Sequence, residues 1–372
     1  MNTIAPINEV PVGDKEISSS SFKMILKNAW FYRIWVIYFL PAMIVLGVFN
    51  NIAILTLMKR AEINIGKKFK RYYTLIAFFD LSAIISIDLI ESYLEDGLSL
   101  TTDGKFFIST KTYSAWSCKL ISAWWVVSTT ISNYTLAALC VERMVAICFP
   151  LRAKSLMTGK WRLGQWCLLI LPGFLLVLPM ALYFHDVVQI AEDKFICSPA
   201  NPTSPLFFVY AWSGCFLAFF FHGCIMLVCS LLITAKLILE GAKKSKLAIN
   251  GKRNTSKEMH AALTVVILAI LQCCSYFPTT VFCMIFCLAM GNIKFRQENP
   301  DSFAGIALAY DMVVVTFSVA HCWNFYLYLV RIPSFRKLFL KRFCFISTSS
   351  SDSYRAHYNV HYHKCSNGNR AF

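Results

Sequence analysis

The chain has 372 residues, 57% of them hydrophobic and 15% charged, with a formal net charge of +16. The apolar excess excludes an ordinary soluble globule. The positive charge does not describe a nucleic-acid surface, because Lys and Arg cluster in short segments that alternate with less basic ones, as the cytoplasmic loops of a multi-span membrane protein do.

Residues 1–34 are mostly polar with scattered charges, and read as an extracellular tail whose following span acts as the insertion signal. The first apolar run, 35–58, contains Asn51, a polar residue that should face other helices and not lipid. Lys59, Arg60, Lys67, Lys68, Lys70 and Arg71 then mark a cytoplasmic loop. The second run, 72–93, holds Asp80 near its middle. An ionisable group at that depth marks a functional site, or else is a protonated carboxyl bonded to its neighbours. Glu91, Glu95, Asp96 and Asp103 make the next, extracellular segment acidic.

The third run, 118–150, reads CKLISAWWVVSTTISNYTLAALCVERMVAICFP. As a helix it extends roughly 50 Å at about 1.5 Å per residue, more than the ~30 Å hydrocarbon core, so it tilts and projects into the polar layers. Its adjacent Glu142 and Arg143 are either a functional switch or a stop-transfer pair. The fourth run ends at Pro179-Met180. Within 185–205, residues 187–190 and 194–197 form a weak hairpin signal around Glu192-Asp193. Of the 15 cysteines, most lie in apolar runs, where a free thiol is a small hydrophobe, and none shows metal-site spacing. Cys118 and Cys197 differ, because both flank presumed extracellular segments, where disulfides persist.

The fifth run, 206–239, contains His222, either a hydrogen-bonded structural group or a ligand. The basic segment from Lys236 to Lys257 follows as a third cytoplasmic loop. The sixth run, 258–290, carries Pro278, which removes an intrahelical hydrogen bond and kinks the helix or is merely tolerated there. The seventh is 304–331. Next, Pro333 opens a short segment with an apolar face (Phe335, Leu338, Phe339) and a basic one (Arg336, Lys337, Lys341, Arg342), as an interfacial helix on an anionic inner leaflet requires. Cys344 is a weak palmitoylation candidate.

Three strings, Glu142-Arg143-Met144 with Pro150-Leu151, Cys274-Ser-Tyr-Phe-Pro278 and Asn324-Phe-Tyr-Leu-Tyr328, stand at a joint spacing that resembles the rhodopsin-like family of G protein-coupled receptors over residues 35–343. The resemblance implies an all-α membrane protein, a seven-transmembrane-helix bundle with a short amphipathic eighth helix. It implies a multi-pass cell-membrane protein with residues 1–34 outside and 344–372 in the cytoplasm. It implies a receptor and not an enzyme, with an extracellular ligand, a heterotrimeric G protein and the lipid bilayer as partners. Cys118 would pair with Cys197. Glu142 would hold Arg143 at rest, and Arg143, Leu151 and Tyr328 would serve G protein coupling. Asp80, Ser132 and Asn324 would form an allosteric sodium site, with no other cofactor.

The string 150–157 (PLRAKSLM) resembles the same loop in neuropeptide receptors. Trp125 stands where amine receptors carry an Asp, and Ser318 where opsins carry the retinal-binding Lys. A short peptide is therefore the expected ligand, in a site made by Glu91, Trp125, Thr129, Tyr276, Tyr310 and Asp311. Acids at the mouth of the bundle favour Arg, whose planar fork meets a carboxylate in two places, and so a basic peptide of the Arg-Phe-amide kind. Departures at Asn50, Ile170, His222, Tyr276 and Phe325 imply a divergent branch, of invertebrate type, with a straighter seventh helix where Phe325 replaces Pro. Two other function classes are a seven-helix binding protein that does not signal and a secondary transporter. The latter calls for internal repeats and paired broken helices, which the sequence lacks.

Overall fold

The fold is that of a computed structural model. It describes residues 30–156, 185–199, 203–247 and 252–343, apart from positions 64, 107, 192 and 193, and within 157–184 only Lys160, Gly164, Cys167 and Leu171. Among the described residues six helices are long and apolar enough to cross a membrane. They are α1 (Trp30–Met58), α2 (Lys67–Thr101), α3 (Ala115–Cys148), α5 (Pro205–Leu239), α6 (Lys252–Gly291) and α8 (Pro300–Arg331). Shorter helices are α4 (Pro150–Leu156), α7 (Ile293–Glu298) and α9 (Pro333–Phe343). The expected fourth span and Cys344 lie outside the described residues.

The bundle is organised around α3. Its start is fixed by a reciprocal cap, in which the Ser114 hydroxyl accepts from Ser117 N and the Ser117 hydroxyl accepts from Ser114 N. In its cytoplasmic half Ala137, Ala138, Leu139 and Cys140 are buried against Ile54 and Leu57 of α1, Ile76 and Ala77 of α2, and Val265 and Leu268 of α6. Small side chains on α3 let these helices approach closely, which is how helices associate where lipid supplies no hydrophobic drive. Gly47 on α1 does the same against α2 and α8. A Cβ there would lie 2.6 Å from Ile84 Cδ1 and 2.8 Å from Cys322 Sγ.

Two irregularities position the site. α2 is wound as a π-helix from Ile84 to Gly97, which changes the rotational register of Asp88 and Glu91. α8 breaks into a 3-10 turn at Val319–His321. At Phe325 itself the helix is regular, from Trp323 to Arg331, and the break lies about one turn upstream. The break is bridged by side-chain amides of α1: Asn51 Nδ2 donates to His321 O at 3.1 Å, and Asn50 Nδ2 to the O of Cys322, the N-cap of the following helical segment, at 3.4 Å. In a bilayer such carbonyls have no water to turn to, which is a physical reason for two successive Asn residues on α1.

The expected hairpin is present. Strand β1 (His185–Ala191) pairs antiparallel with β2 (Lys194–Pro199), with Val187 opposite Cys197. Cys197 is disulfide-bonded to Cys118 at the top of α3, which anchors the hairpin on the bundle. On the cytoplasmic side α9 folds its apolar face under the bundle. Phe335 is buried, with ring centroids 5.8 Å from Phe325 and 6.2 Å from Tyr328, while Arg336 and Lys337 are exposed.

Non-reducing peptide mapping of surface-expressed protein should recover the Cys118–Cys197 cross-link. Removing it with Cys118→Ala and Cys197→Ala together should cost about 2–5 kcal/mol of stability, read as a lower thermal midpoint. Free thiols at either position would refute the tie.

Candidate functional site

Three regions carry the chemistry, one above another along α3 and α8. At the extracellular end, Tyr32 and Val36 of α1, Glu91 of α2, Trp125 of α3, and Tyr310 and Asp311 of α8 line a cavity of about 110 Å³. Glu91, Trp125, Tyr310 and Asp311 are thus brought together as expected. The other two expected members are not at the cavity. The Thr129 hydroxyl is turned back onto its own helix, donating to Trp125 O at 2.9 Å and to Val126 O at 3.0 Å. Tyr276 is buried deeper, edge-on to Phe317 (4.5 Å) and His222 (4.9 Å). His222 itself is buried, and among the described residues neither ring nitrogen has a hydrogen-bond partner. It packs as a structural group between the rings of Tyr134 (5.8 Å) and Tyr276.

The acids at the mouth are partly matched within the protein. Lys111, buried at the foot of the extracellular segment, forms an ion pair with Glu91 Oε1, Arg33 lies 3.4 Å from Asp103, and the Ser109 hydroxyl donates to Glu95 at 3.2 Å. The partner of Glu91 could not be seen in the sequence, because Lys111 lies among polar residues with no periodic signal.

At mid-depth, Asp80 is the hub. Its Oδ1 lies 2.5 Å from the Ser132 hydroxyl of α3 and 2.6 Å from His321 Nδ1 of α8, and its Oδ2 accepts from Asn324 Nδ2 at 2.6 Å. The expected trio of Asp80, Ser132 and Asn324 is therefore assembled, with His321 as a fourth member that the sequence reading missed. Its signal was an imidazole inside an apolar span. Asp88 was missed as well. It is buried about two turns above Asp80, and accepts a hydrogen bond from Ser318 of α8.

Sodium wants oxygen ligands around a carboxylate. Here both Asp80 oxygens face N–H or O–H groups, and the imidazole holds the cation's place on Oδ1. Asn324 turns its amino group to Asp80 and its Oδ1 away, since an amide oxygen facing a carboxylate with no cation between them would be repelled. In this arrangement the residues do not fit a sodium ion.

At the cytoplasmic end, Glu142 is buried and Arg143 half-buried. The expected partner of Arg143 was Glu142. One contact of Arg143 is with α2, where the guanidinium carbon lies 3.6 Å over the ring of Phe69, a cation–π pair worth about 0.5–2 kcal/mol depending on burial. Leu151 on α4 is almost fully exposed, an apolar knob beside this end. Tyr328 is not exposed for coupling in this conformation. It is buried 4.5 Å from the ring of Tyr73.

Comparison with known proteins agrees with this geometry. Residues 98–328 match the family described as 7 transmembrane receptor (rhodopsin family). The chain belongs to that family. A crystal structure of squid rhodopsin superposes with a TM-score of 0.62 at 16% identity, covering 93% of this chain and 91% of that one. An adenosine receptor A2b from Gallus gallus is 24% identical over 246 residues, 60% of this chain and 67% of its own length. A proteinase-activated receptor 4 from Mus musculus is 22% identical over 225 residues, 59% of this chain and 50% of its own length. The family is one of receptors, which stands against the transporter reading.

Replacing NaCl by choline chloride should leave the thermal midpoint of the purified protein unchanged. His321→Ser, which exchanges the imidazole for an oxygen ligand, should make it sodium-dependent. At ten times the dissociation constant the ion would add about 1.4 kcal/mol to that variant. A sodium shift in the wild type equal to that in the variant would refute the assignment.

Proposed function

We propose that the protein is a cell-surface receptor, N-terminus outside, that binds a short basic peptide at the Glu91–Asp311 cavity and activates a heterotrimeric G protein at its Arg143 end. The observation that carries the ligand assignment is one cavity lined by two carboxylates, Glu91 and Asp311, and by the aromatic rings of Trp125 and Tyr310. Its volume of about 110 Å³ suits the end of one side chain and not a whole ligand, so the remainder of the ligand would lie above it, beside the hairpin. A guanidinium satisfies two carboxylates by paired hydrogen bonds, and an aromatic ring of the peptide has offset-stacking partners in the cavity wall. One curated relative is an adenosine receptor by name; two carboxylates in one cavity wall, one of them already paired with Lys111, support a cationic ligand end over a neutral nucleoside.

The signal has a continuous path. Asp311, Ser318, His321, Asn324 and Tyr328 descend α8, and three of them bond to acids of α2: Ser318 to Asp88, and His321 and Asn324 to Asp80. A ligand that pulls on Asp311 acts on a helix already broken at Val319–His321, where small rotations exchange discrete hydrogen bonds. The buried cluster thus has two states that a ligand can bias. Movement reaching Tyr328 disturbs its packing on Tyr73, four residues along α2 from Phe69. Release of Arg143 from Phe69 would free the cation for an intracellular partner, with Leu151 as a neighbouring apolar contact.

Amidated Arg-Phe peptides form the first library for a second-messenger screen. Against the best hit, Glu91→Gln and Asp311→Asn should each weaken binding by about tenfold or more, as loss of a hydrogen bond to a charged group implies, and an Arg→citrulline peptide should lose the difference between mutant and wild type. Undiminished affinity in both mutants would end the acidic-anchor assignment while leaving the family membership untouched.

At the other end, Arg143→Ala should reach the cell surface and give no output, whereas Phe69→Ala should raise ligand-independent output. Output from Arg143→Ala at wild-type potency and maximum would contradict the coupling role. A receptor that binds the peptide and evokes no second messenger would instead be the non-signalling binding protein.

A further inference from the structure

Cys215 on α5 faces Cys283 and Cys287 on α6, and the three Sγ atoms all lie within 4.8 Å of one another. All three are free thiols, whereas the extracellular pair Cys118–Cys197 is joined. Among the described residues no other three His, Cys, Asp or Glu side chains converge in this way. Cys283 and Cys287 share a helix face by their four-residue spacing, and Cys215 reaches them across the α5–α6 seam. Spacing along the chain hides the group, because Cys215 is far from the other two in sequence.

We propose that Cys215, Cys283 and Cys287 form a three-thiolate site for a soft d10 cation, represented by Zn²⁺, that clamps α5 to α6 beside the ligand cavity. An all-sulfur donor set selects such ions over sodium, magnesium or calcium. With a Zn–S bond of about 2.3 Å in a tetrahedral arrangement, bound sulfurs stand about 3.8 Å apart. Closure from the present spacing therefore needs sulfur displacements of about 1 Å or less, within reach of small side-chain rotations. On binding, three S–H bonds break, three Zn–S bonds form and three protons pass to solvent. The metal's fourth position takes a water or stays open, as in exchangeable sites.

The site touches the rest of the receptor at two points. Its cysteines pack in one cluster with Phe207, Tyr276, Trp125 and Tyr310, of which Trp125 and Tyr310 line the cavity. Phe286, next to Cys287, stacks on Tyr310 with ring centroids 4.6 Å apart. Both α6 cysteines lie on the extracellular side of Pro278, the proline inside α6. A metal there would fix α5 against the part of α6 above its kink. The consequence for signalling rests on the receptor reading, but metal binding does not.

The test uses full-length receptor in detergent, stripped with chelator and kept reduced. Cd²⁺ titration should give a thiolate-to-cadmium ultraviolet band that saturates at one equivalent above the background of a Cys215→Ala, Cys283→Ala, Cys287→Ala triple variant. Zn²⁺ should displace it and raise the thermal midpoint of the wild type only. Cys273→Ala, whose thiol lies outside the group, should behave as wild type. If the triple variant does not fold, X-ray absorption at the zinc edge of the wild type decides, with three sulfur scatterers at about 2.3 Å expected. Equal cadmium absorbance in the triple variant, oxygen or nitrogen scatterers alone, or a disulfide among the three cysteines in the isolated receptor would overturn the site. Zinc binding with unchanged peptide-evoked output would keep the site and overturn the clamp.

Discussion

A carboxylate in the middle of an apolar bundle has no solvent to turn to, so donors from the protein must meet it. Asp80 is met by three, from α3 and from two points on α8. That single requirement ties three helices at one depth. It also explains why hydroxyl, amide and imidazole groups interrupt runs that would otherwise be purely aliphatic. A partly satisfied buried network is worse than none, so these residues cannot be exchanged one at a time without cost. The same property makes the cluster suited to switching, since its alternative states are discrete sets of hydrogen bonds and not a continuum.

Much of the architecture was legible in the sequence because its causes are local. Apolar run length gives the spans, and the strand pattern around 192–193 gives the hairpin. The α9 segment was readable from the alternation of Phe335, Leu338 and Phe339 with basic residues. The site was legible where a polar residue stood out against an apolar background, as with Asp80 and Ser132. It was not legible where partners come together only through tertiary packing. His321 reaches Asp80, Lys111 reaches Glu91 and Phe69 reaches Arg143 across separations that no periodicity encodes. Thr129 and Tyr276 failed for a complementary reason. Helix position places a residue at a level, but a hydroxyl that can bond its own helix or a ring that can bury itself among aromatics need not face a cavity.

The extracellular acids show how electrostatics redistributes what composition suggests. Counted in sequence, Glu91, Glu95 and Asp103 form an acidic rim. In space, Lys111, Ser109 and Arg33 respectively meet them. The pairs at the rim are solvent-accessible and of small energetic consequence, whereas the buried Lys111 pairs with Glu91 at the wall of the cavity. Glu91 is thereby held in place with Oε2 unbonded among the described residues. A pre-positioned carboxylate loses less conformational freedom on meeting a guanidinium than a mobile one.

The departures from the family pattern on α1 and α8 form one coupled change. Phe325 stands where the family has proline, and the helix break lies upstream at Val319–His321. At that break the Asn50–Asn51 pair of α1 donates to the carbonyls of His321 and Cys322. It also turns His321 inward, onto Asp80. With proline absent, Phe325 is free to pack as an aromatic, with ring centroids 5.1 Å from Phe339 and 5.8 Å from Phe335 of α9, so the end of α8 is fastened from below as well. Phe325→Pro would act on only one member of this set. It would remove a packing ring while His321 still occupied the carboxylate and Asn50 still held a carbonyl of the upstream break. The break at Val319–His321, the Asn50–Asn51 pair and Phe325 therefore act as one packed unit that joins α1, α8 and α9.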